Sequence, residues 1–110
     1  MNYVSEFLKK AKSDLPVFID IDGRLTDNPN KRGGTPLRAR IDAVKKLIAA
    51  GQDVVIWSYA GSKYAEEFAR ANGIKAVAAI GKPKYLIDDN KNIVPMGMSV
   101  RDPAWLDADR

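Results

Sequence analysis

The chain has 110 residues, of which 45% are hydrophobic and 29% charged, and its formal net charge is +4 from 18 basic and 14 acidic side chains. These values are typical of one globular domain, so we expect residues 1–110 to form a single domain. The sequence contains no cysteine and no histidine, which excludes disulfides, thiolate nucleophiles and imidazole acid–base chemistry. Any acid–base or metal chemistry therefore depends on carboxylates, lysines and hydroxyls.

The first part of the chain shows a helix pattern, a strand pattern and then turn-forming residues. Apolar residues at helical spacing in residues 2–14 predict an amphipathic helix that packs on a sheet with its lysines in solvent. A short β-branched and aromatic run predicts a strand over residues 16–20 that is buried on both faces. Residues 27–34 predict a mobile loop. Lys31 and Arg32 at its tip either meet an anionic substrate or serve solubility.

The rest of the chain continues the alternation of helices and strands. The spacing predicts a helix from a cap at Thr35–Pro36 to Gly51, followed by a strand Val54–Trp57 that ends at Ser58. A second helix runs through Tyr64–Ala69 and stops at Asn72–Gly73. Two further strands are predicted, one within Ile74–Ile80 and one at Tyr85–Ile87. Residues from Asn90 onward are mainly loop-forming. Continuous apolar strands that alternate with helices predict an α/β fold, a parallel sheet with helices on both faces.

Polar side chains lie directly after the predicted strands or, in one case, shortly before a strand. They are Asp20 and Asp22 after the first strand, Ser58 after the second, Lys82 before the fourth, and Asp88 and Asp89 after the fourth. The carboxyl ends of parallel strands meet at one edge of a sheet, so we expect these groups to lie together. Two closely spaced acids suit a divalent cation such as Mg²⁺, with one acid as nucleophile and the other as proton donor. Each group alone also fits an ordinary turn or cap, and only their joint occurrence favours a site.

These motifs resemble those of the haloacid dehalogenase (HAD) superfamily of phosphatases over residues 17–89. The family's first motif, a strand followed by Asp-x-Asp-Gly-Thr-Leu, is similar to Asp20-Ile21-Asp22-Gly23-Arg24-Leu25. The family's second motif, a strand ending in Ser or Thr, is similar to Val54–Ser58. The family also has a Lys-Pro pair before a strand that ends in two acids, which is similar to Lys82-Pro83 followed by Asp88-Asp89. The resemblance implies a HAD-like Rossmannoid three-layer sandwich. The intervals between motifs leave no room for the usual cap domain, so we expect the small capless type.

The resemblance also implies a role for each candidate residue. Asp20 would be the nucleophile that forms an aspartyl phosphate, and Asp22 would protonate the leaving oxygen and then activate water. Ser58 would bind a phosphoryl oxygen, and Lys82, with Lys84 ranked second, would neutralise charge. The implied substrate-binding set is Ser58, Tyr59, Lys82 and Arg24. The implied Mg²⁺ ligands are Asp20, the backbone carbonyl of Asp22, Asp88 and, ranked after Asp88, Asp89. Mg²⁺ would lower the repulsion between a carboxylate and a phosphate monoester.

Arg24 departs from the family pattern, which usually has Thr or Val at this position. The small hydroxyl normally helps to fix the turn and to orient the second acid, and an arginine cannot do so in the same way. Three outcomes stay open: Arg24 points outward without effect, it recognises phosphate, or it disables the site.

The expected activity is Mg²⁺-dependent hydrolysis of a phosphomonoester. Nucleic-acid ends, nucleotides and sugar phosphates all stay open as substrates, and the basic residues Lys31, Arg32, Arg38 and Arg40 weakly favour the first two. An uncovered site takes a phosphate at the end of a macromolecule, or uses neighbouring subunits of a homo-oligomer as walls. The alternatives are a catalytically weak or inactive binding or regulatory protein on the same fold and, less favoured, a phosphotransferase.

The sequence also predicts a cytoplasmic protein with no membrane partner. No apolar run reaches the length needed to cross a bilayer, and residues 1–6 lack a secretory pattern.

Overall fold

A three-stranded parallel sheet forms the centre of the part of the chain that the structure describes. The computed structural model describes residues 15–29, 33–85, 87 and 89. The strands are β1 (Val17–Asp20), β2 (Val54–Ser58) and β3 (Ala78–Gly81), in that order across the sheet, and the helices are α1 (Arg38–Ala49) between β1 and β2 and α2 (Ser62–Ala71) between β2 and β3. The prediction of an α/β fold with a parallel sheet is therefore confirmed.

The register of the sheet determines where each strand ends. Asp20 is paired with Trp57 across β1 and β2, and Ser58 is paired with Gly81 across β2 and β3. Because the pairing is parallel, the residues that follow all three strands emerge at one edge of the sheet. The candidate residues after β1, β2 and β3 share that edge.

Both described helices pack on one face of the sheet. Side chains alternate along a strand, so the paired residues Ile19 and Ile56 lie on the same face. They belong to a single buried cluster that also contains Ile41, Val44 and Leu47 of α1 and Ala65, Phe68 and Ala69 of α2. This placement agrees with right-handed connections between neighbouring parallel strands.

The opposite face of β1 is more open than the sequence predicted. Phe18 is 46% exposed, and its ring meets that of Trp57 edge to face with 4.7 Å between centroids. Burial of β1 on both faces was therefore a wrong prediction. An apolar run shows only that a strand is suited to burial, and neither α1 nor α2 lies on this side.

Several predicted elements have different limits in the structure. Leu37, not Thr35, is the N-cap of α1, and it makes no side-chain cap hydrogen bond. The Thr35 N–H instead donates to Asp27 Oδ1 at 2.8 Å, which holds the loop before the helix. The third strand covers only the last part of the predicted segment, and Ile74 packs in the core outside it.

The predicted fourth strand does not hold for the residues that the structure describes there. Tyr85 and Ile87 lie outside the strands and are 79% and 96% exposed. The prediction relied on an apolar run being buried, and these two side chains are not. Leu86 lies outside the described residues, as do the predicted helix at 2–14, the loop tip at Lys31 and Arg32, Asp88 and the segment from Asn90 onward.

Among the described residues, neither helix combines the length and the apolar character that a bilayer crossing requires.

Candidate active site

A tight turn after β1 sets the position of the two acids. The carbonyl of Ile21 accepts hydrogen bonds from the N–H groups of Arg24, Leu25 and Thr26 at 2.8–3.2 Å. Ile21 and Leu25 are fully buried, so the turn is fixed to the core by its own apolar residues. Gly23 has a φ of +75°, a conformation that favours glycine. Asp22 is thereby held in the turn immediately beyond the strand that carries Asp20.

The buried side chain of Thr26 closes this turn. Its Oγ1 accepts a hydrogen bond from the Gly23 N–H at 3.2 Å. The Thr26 hydroxyl thus helps to fix the turn, and the residue directly after the glycine is Arg24. Arg24 is exposed, and its guanidinium donates to the Gly23 carbonyl at 3.3 Å. Of the three outcomes for Arg24, this geometry matches an outward-pointing side chain.

Asp20 and Lys82 form an ion pair across the end of β2. The Lys82 Nζ lies 3.3 Å from Asp20 Oδ1, and the two side chains are 19% and 27% exposed, respectively. Lys82 directly follows β3, and its N–H donates to the Ser58 carbonyl at 2.9 Å, which continues the pairing with β2. Solvent reaches both side chains, so an anionic ligand can approach Asp20 beside the positive charge of Lys82.

Two aromatic rings lie near the ammonium of Lys82. Its Nζ lies 4.4 Å from the ring centroid of Tyr59 and 6.0 Å from that of Trp57. Both distances allow cation–π attraction, which orients the lysine towards the edge of the sheet. Tyr59 is 86% exposed, so its ring is also open to a ligand at this edge. Lys84 has a different neighbour, the ring of Tyr85 at 5.8 Å from its Nζ.

Asp22 accepts a hydrogen bond on each of its carboxylate oxygens. Ser58 Oγ donates to Oδ2 at 2.6 Å, and the Tyr64 hydroxyl donates to Oδ1 at 2.8 Å. Each hydroxyl also accepts a backbone N–H, from Ala60 at 2.9 Å for Ser58 and from Gly33 at 3.3 Å for Tyr64. An ionised carboxylate only accepts hydrogen bonds, so the two hydroxyls are the donors to Asp22, and each has lone pairs left to accept an N–H group.

Ser58 therefore has a partner that the sequence did not indicate. It is fully buried at the end of β2, and its proton is directed to Asp22. The predicted contact between Ser58 and a phosphoryl oxygen would require that proton to change partner. In the structure, Ser58 orients the second acid.

The start of α2 is packed against the end of β3. The Gly81 N–H donates to Ser62 Oγ at 2.8 Å, and a Cβ atom on Gly81 would lie 3.2 Å from the Gly61 Cα. A side chain at this position would press on the helix. The close approach keeps the first turn of α2, which carries Tyr64, next to the strand end that leads to Lys82.

The predicted Mg²⁺ ligands are only partly brought together. Among the described residues, no three acidic side chains lie close enough to share a metal ion, and Asp89 does not join Asp20 and Asp22 in such a group. Asp88 lies outside the described residues. Mg²⁺ usually takes one or two protein carboxylates and completes its coordination with water and substrate phosphates. Asp20, which is partly exposed beside the open edge, is the described carboxylate that suits such a site.

The sequence interpretation missed two residues of this site. Tyr64 was counted among the apolar positions of α2, and Thr26 was not singled out. The available signal was a hydroxyl-bearing residue in the first turn of the helix that directly follows Ser58, and a threonine within three residues of the turn glycine. Neither pattern is specific without coordinates.

Comparison of the chain with protein-family models, with curated proteins and with solved structures found no match in any of the three. The interpretation of the site therefore depends on its geometry and on the motifs.

Replacement of Gly23 tests the turn that holds the acids, with Gly51 as a matched control. Both glycines have positive φ, +75° and +95°, but a Cβ on Gly23 would lie 2.5 Å from the Pro29 Cβ, whereas nothing lies within 4 Å of one on Gly51. We expect Gly51→Ala to cost roughly 1–3 kcal/mol of unfolding free energy from backbone strain alone. Gly23→Ala should cost clearly more, as measured by urea denaturation. Equal losses would show that the loop at Pro29 does not pack on the turn.

Proposed function

We propose that this protein is a Mg²⁺-dependent phosphomonoester hydrolase that acts through an aspartyl phosphate on Asp20. The observation that carries the proposal is that two carboxylates with different neighbours lie at one edge of the sheet. Asp20 is paired with Lys82 and reachable from solvent, and Asp22 is held by two hydroxyls. Together with the motifs and the parallel sheet, this favours a capless HAD-like Rossmannoid fold, whose third layer would lie on the face of the sheet that α1 and α2 do not cover.

The first step transfers the phosphoryl group to Asp20. A carboxylate oxygen of Asp20 attacks phosphorus as the bond from phosphorus to the ester oxygen breaks. Asp22, entering this step as the carboxylic acid, gives its proton to the departing oxygen, so that an alcohol leaves. Each oxygen of Asp22 has two lone pairs and uses one for a hydroxyl, which leaves a position for the transferred proton.

The second step returns Asp20 to its starting state. Asp22, now a carboxylate, takes a proton from a water molecule whose oxygen attacks phosphorus. The bond between phosphorus and the Asp20 oxygen breaks, and inorganic phosphate leaves. The two hydroxyls keep Asp22 in one orientation through both steps, which is the condition for one group to serve as acid and then as base.

Positive charge is needed at this site because a carboxylate and a phosphate monoester repel each other. Lys82 supplies one charge in direct contact with Asp20. Mg²⁺ bound through Asp20 and, as the motifs imply, Asp88 would supply charge neutralisation at the phosphate. Lys82 in addition binds the anionic substrate before reaction, and the exposed ring of Tyr59 borders the same position.

The proposed substrates are phosphorylated small molecules or nucleic-acid ends, in a cytoplasmic protein. A site without a cap accepts a phosphate on a large molecule, and a homo-oligomer could supply further walls.

Replacement of Asp20 tests the proposed nucleophile, with Asp53→Asn as the control. Asp53 is an exposed acid immediately before the amino end of β2, away from the site. With Mg²⁺, the wild type and Asp53→Asn should release phosphate from p-nitrophenyl phosphate or from a panel of natural phosphomonoesters. Asp20→Asn should lose about 10⁴-fold or more of this activity, and EDTA should abolish it.

Two results would contradict the proposal. One is phosphate release by Asp20→Asn at the wild-type rate, since the nucleophile would then lie elsewhere. The other is no release by the wild type from any ester with Mg²⁺, which would favour a binding or regulatory role.

Replacement of Arg24 by Thr tests whether the departure from the family pattern affects catalysis. Thr26 already accepts the Gly23 N–H, and Arg24 is exposed, so we expect kcat/KM to change less than about threefold, a difference below 1 kcal/mol. A gain of ten-fold or more in phosphate release would show that Arg24 suppresses turnover. A loss of that size would show that Arg24 contributes to phosphate binding.

A further inference from the structure

We propose that Tyr64 is a positioning residue for Asp22, and that the leaving group of the substrate lies in the groove that Tyr64 lines. This inference rests on the proposed function. It assigns to the Tyr64 hydroxyl the task of aiming the acid of Asp22 at the leaving oxygen.

The hydrogen bonds of Tyr64 carry the first step of the inference. Its hydroxyl donates to Asp22 Oδ1 at 2.8 Å, while Ser58 donates to Oδ2 at 2.6 Å. A carboxylate held through one oxygen can still rotate about that contact. Held through both oxygens by groups on β2 and α2, its plane is fixed.

The ring and the hydroxyl of Tyr64 make different contacts. Apolar packing of the ring against the core and against Phe68, at 6.5 Å between centroids, would be equally served by phenylalanine. The hydroxyl, in contrast, lies between the Gly33 N–H and Asp22. It therefore links the loop that precedes α1 to the second acid.

The groove beside Tyr64 gives the leaving group a location. It has a volume of about 510 Å³ and is lined by Gly33, Ala60, Lys63, Tyr64 and Glu67. This is within the size range of small-molecule sites. Tyr64 lines this groove and donates to Asp22 Oδ1, so we place the leaving oxygen at the end of the groove that is nearest to the Tyr64 hydroxyl. The charged side chains of Lys63 and Glu67 favour a polar alcohol over an apolar one.

The test compares two esters that differ in their need for a proton. An alkyl phosphate such as glycerol phosphate must have its leaving oxygen protonated, whereas p-nitrophenolate is stable enough to leave without a proton. The quantity measured is kcat/KM, because it reports steps up to cleavage of the ester bond and excludes hydrolysis of the intermediate. The variant is Tyr64→Phe, and the control is Tyr85→Phe, which removes an exposed hydroxyl.

We expect Tyr64→Phe to lower kcat/KM about 10–100-fold for the alkyl phosphate, part of the 10²–10⁴-fold that a general acid supplies. For p-nitrophenyl phosphate the change should stay below about threefold, and Tyr85→Phe should leave both values unchanged. In an Asp22→Asn background, Tyr64→Phe should have no further effect, because the group that it positions is absent.

Three results would overturn the inference while the proposed function stands. The first is an equal loss of kcat/KM for both esters in Tyr64→Phe, as expected of a merely structural role. The second is an unchanged kcat/KM for the alkyl phosphate. The third is the same loss of kcat/KM with and without the Asp22 carboxylate. If the wild type cleaves neither ester while its unfolding transition is cooperative, the proposed function fails and this inference fails with it.

Discussion

Parallel pairing of β2 with both of its neighbours is the constraint on which the site depends. It aligns Asp20 with Trp57 and Ser58 with Gly81, so that the residues beyond each strand emerge at one edge. Lys82 reaches Asp20 only because β3 ends beside β2, and Asp22 reaches Ser58 only because β1 ends on the other side. In an antiparallel sheet of the same strand order, Ser58 would lie at the edge opposite to Asp20, Asp22 and Lys82. Three short strands thereby bring together groups that are up to 62 positions apart in the chain.

The two acids of the site have different neighbours. Asp20 has an ammonium neighbour and is partly open to solvent, which suits a group that attacks an anion. Asp22 has two hydroxyl neighbours, one of them on the fully buried Ser58, which suits a group that moves a proton in a fixed direction. Both hydroxyls also accept backbone N–H groups, from Ala60 and Gly33, so the orientation of Asp22 is linked to the main chain of two loops. This division of tasks is the physical basis of the proposed mechanism.

Much of this arrangement follows from the sequence, and the remainder depends on distances that no pattern contains. Helical and strand periodicity predicted α1, α2 and β2, and the order of elements predicted that Asp20, Ser58 and Lys82 share an edge. Periodicity treats Tyr64 as an apolar residue, so its hydrogen bond to Asp22 could not be predicted. The exposure of Phe18 depends on which helices cover each face. The fourth strand was inferred from an apolar run whose described members, Tyr85 and Ile87, face solvent.

The most direct test of the account is to locate the phosphoryl group on the protein itself. Asp22→Asn should form the aspartyl phosphate from p-nitrophenyl phosphate with Mg²⁺ but hydrolyse it slowly, because the base that activates water is missing. Acid quenching followed by peptide mass spectrometry should then find one phosphoryl group on Asp20, labile to hydroxylamine as an acyl phosphate is. A phosphoryl group on any other residue, or phosphate release by the wild type with no labelled Asp20 in this variant, would contradict the account.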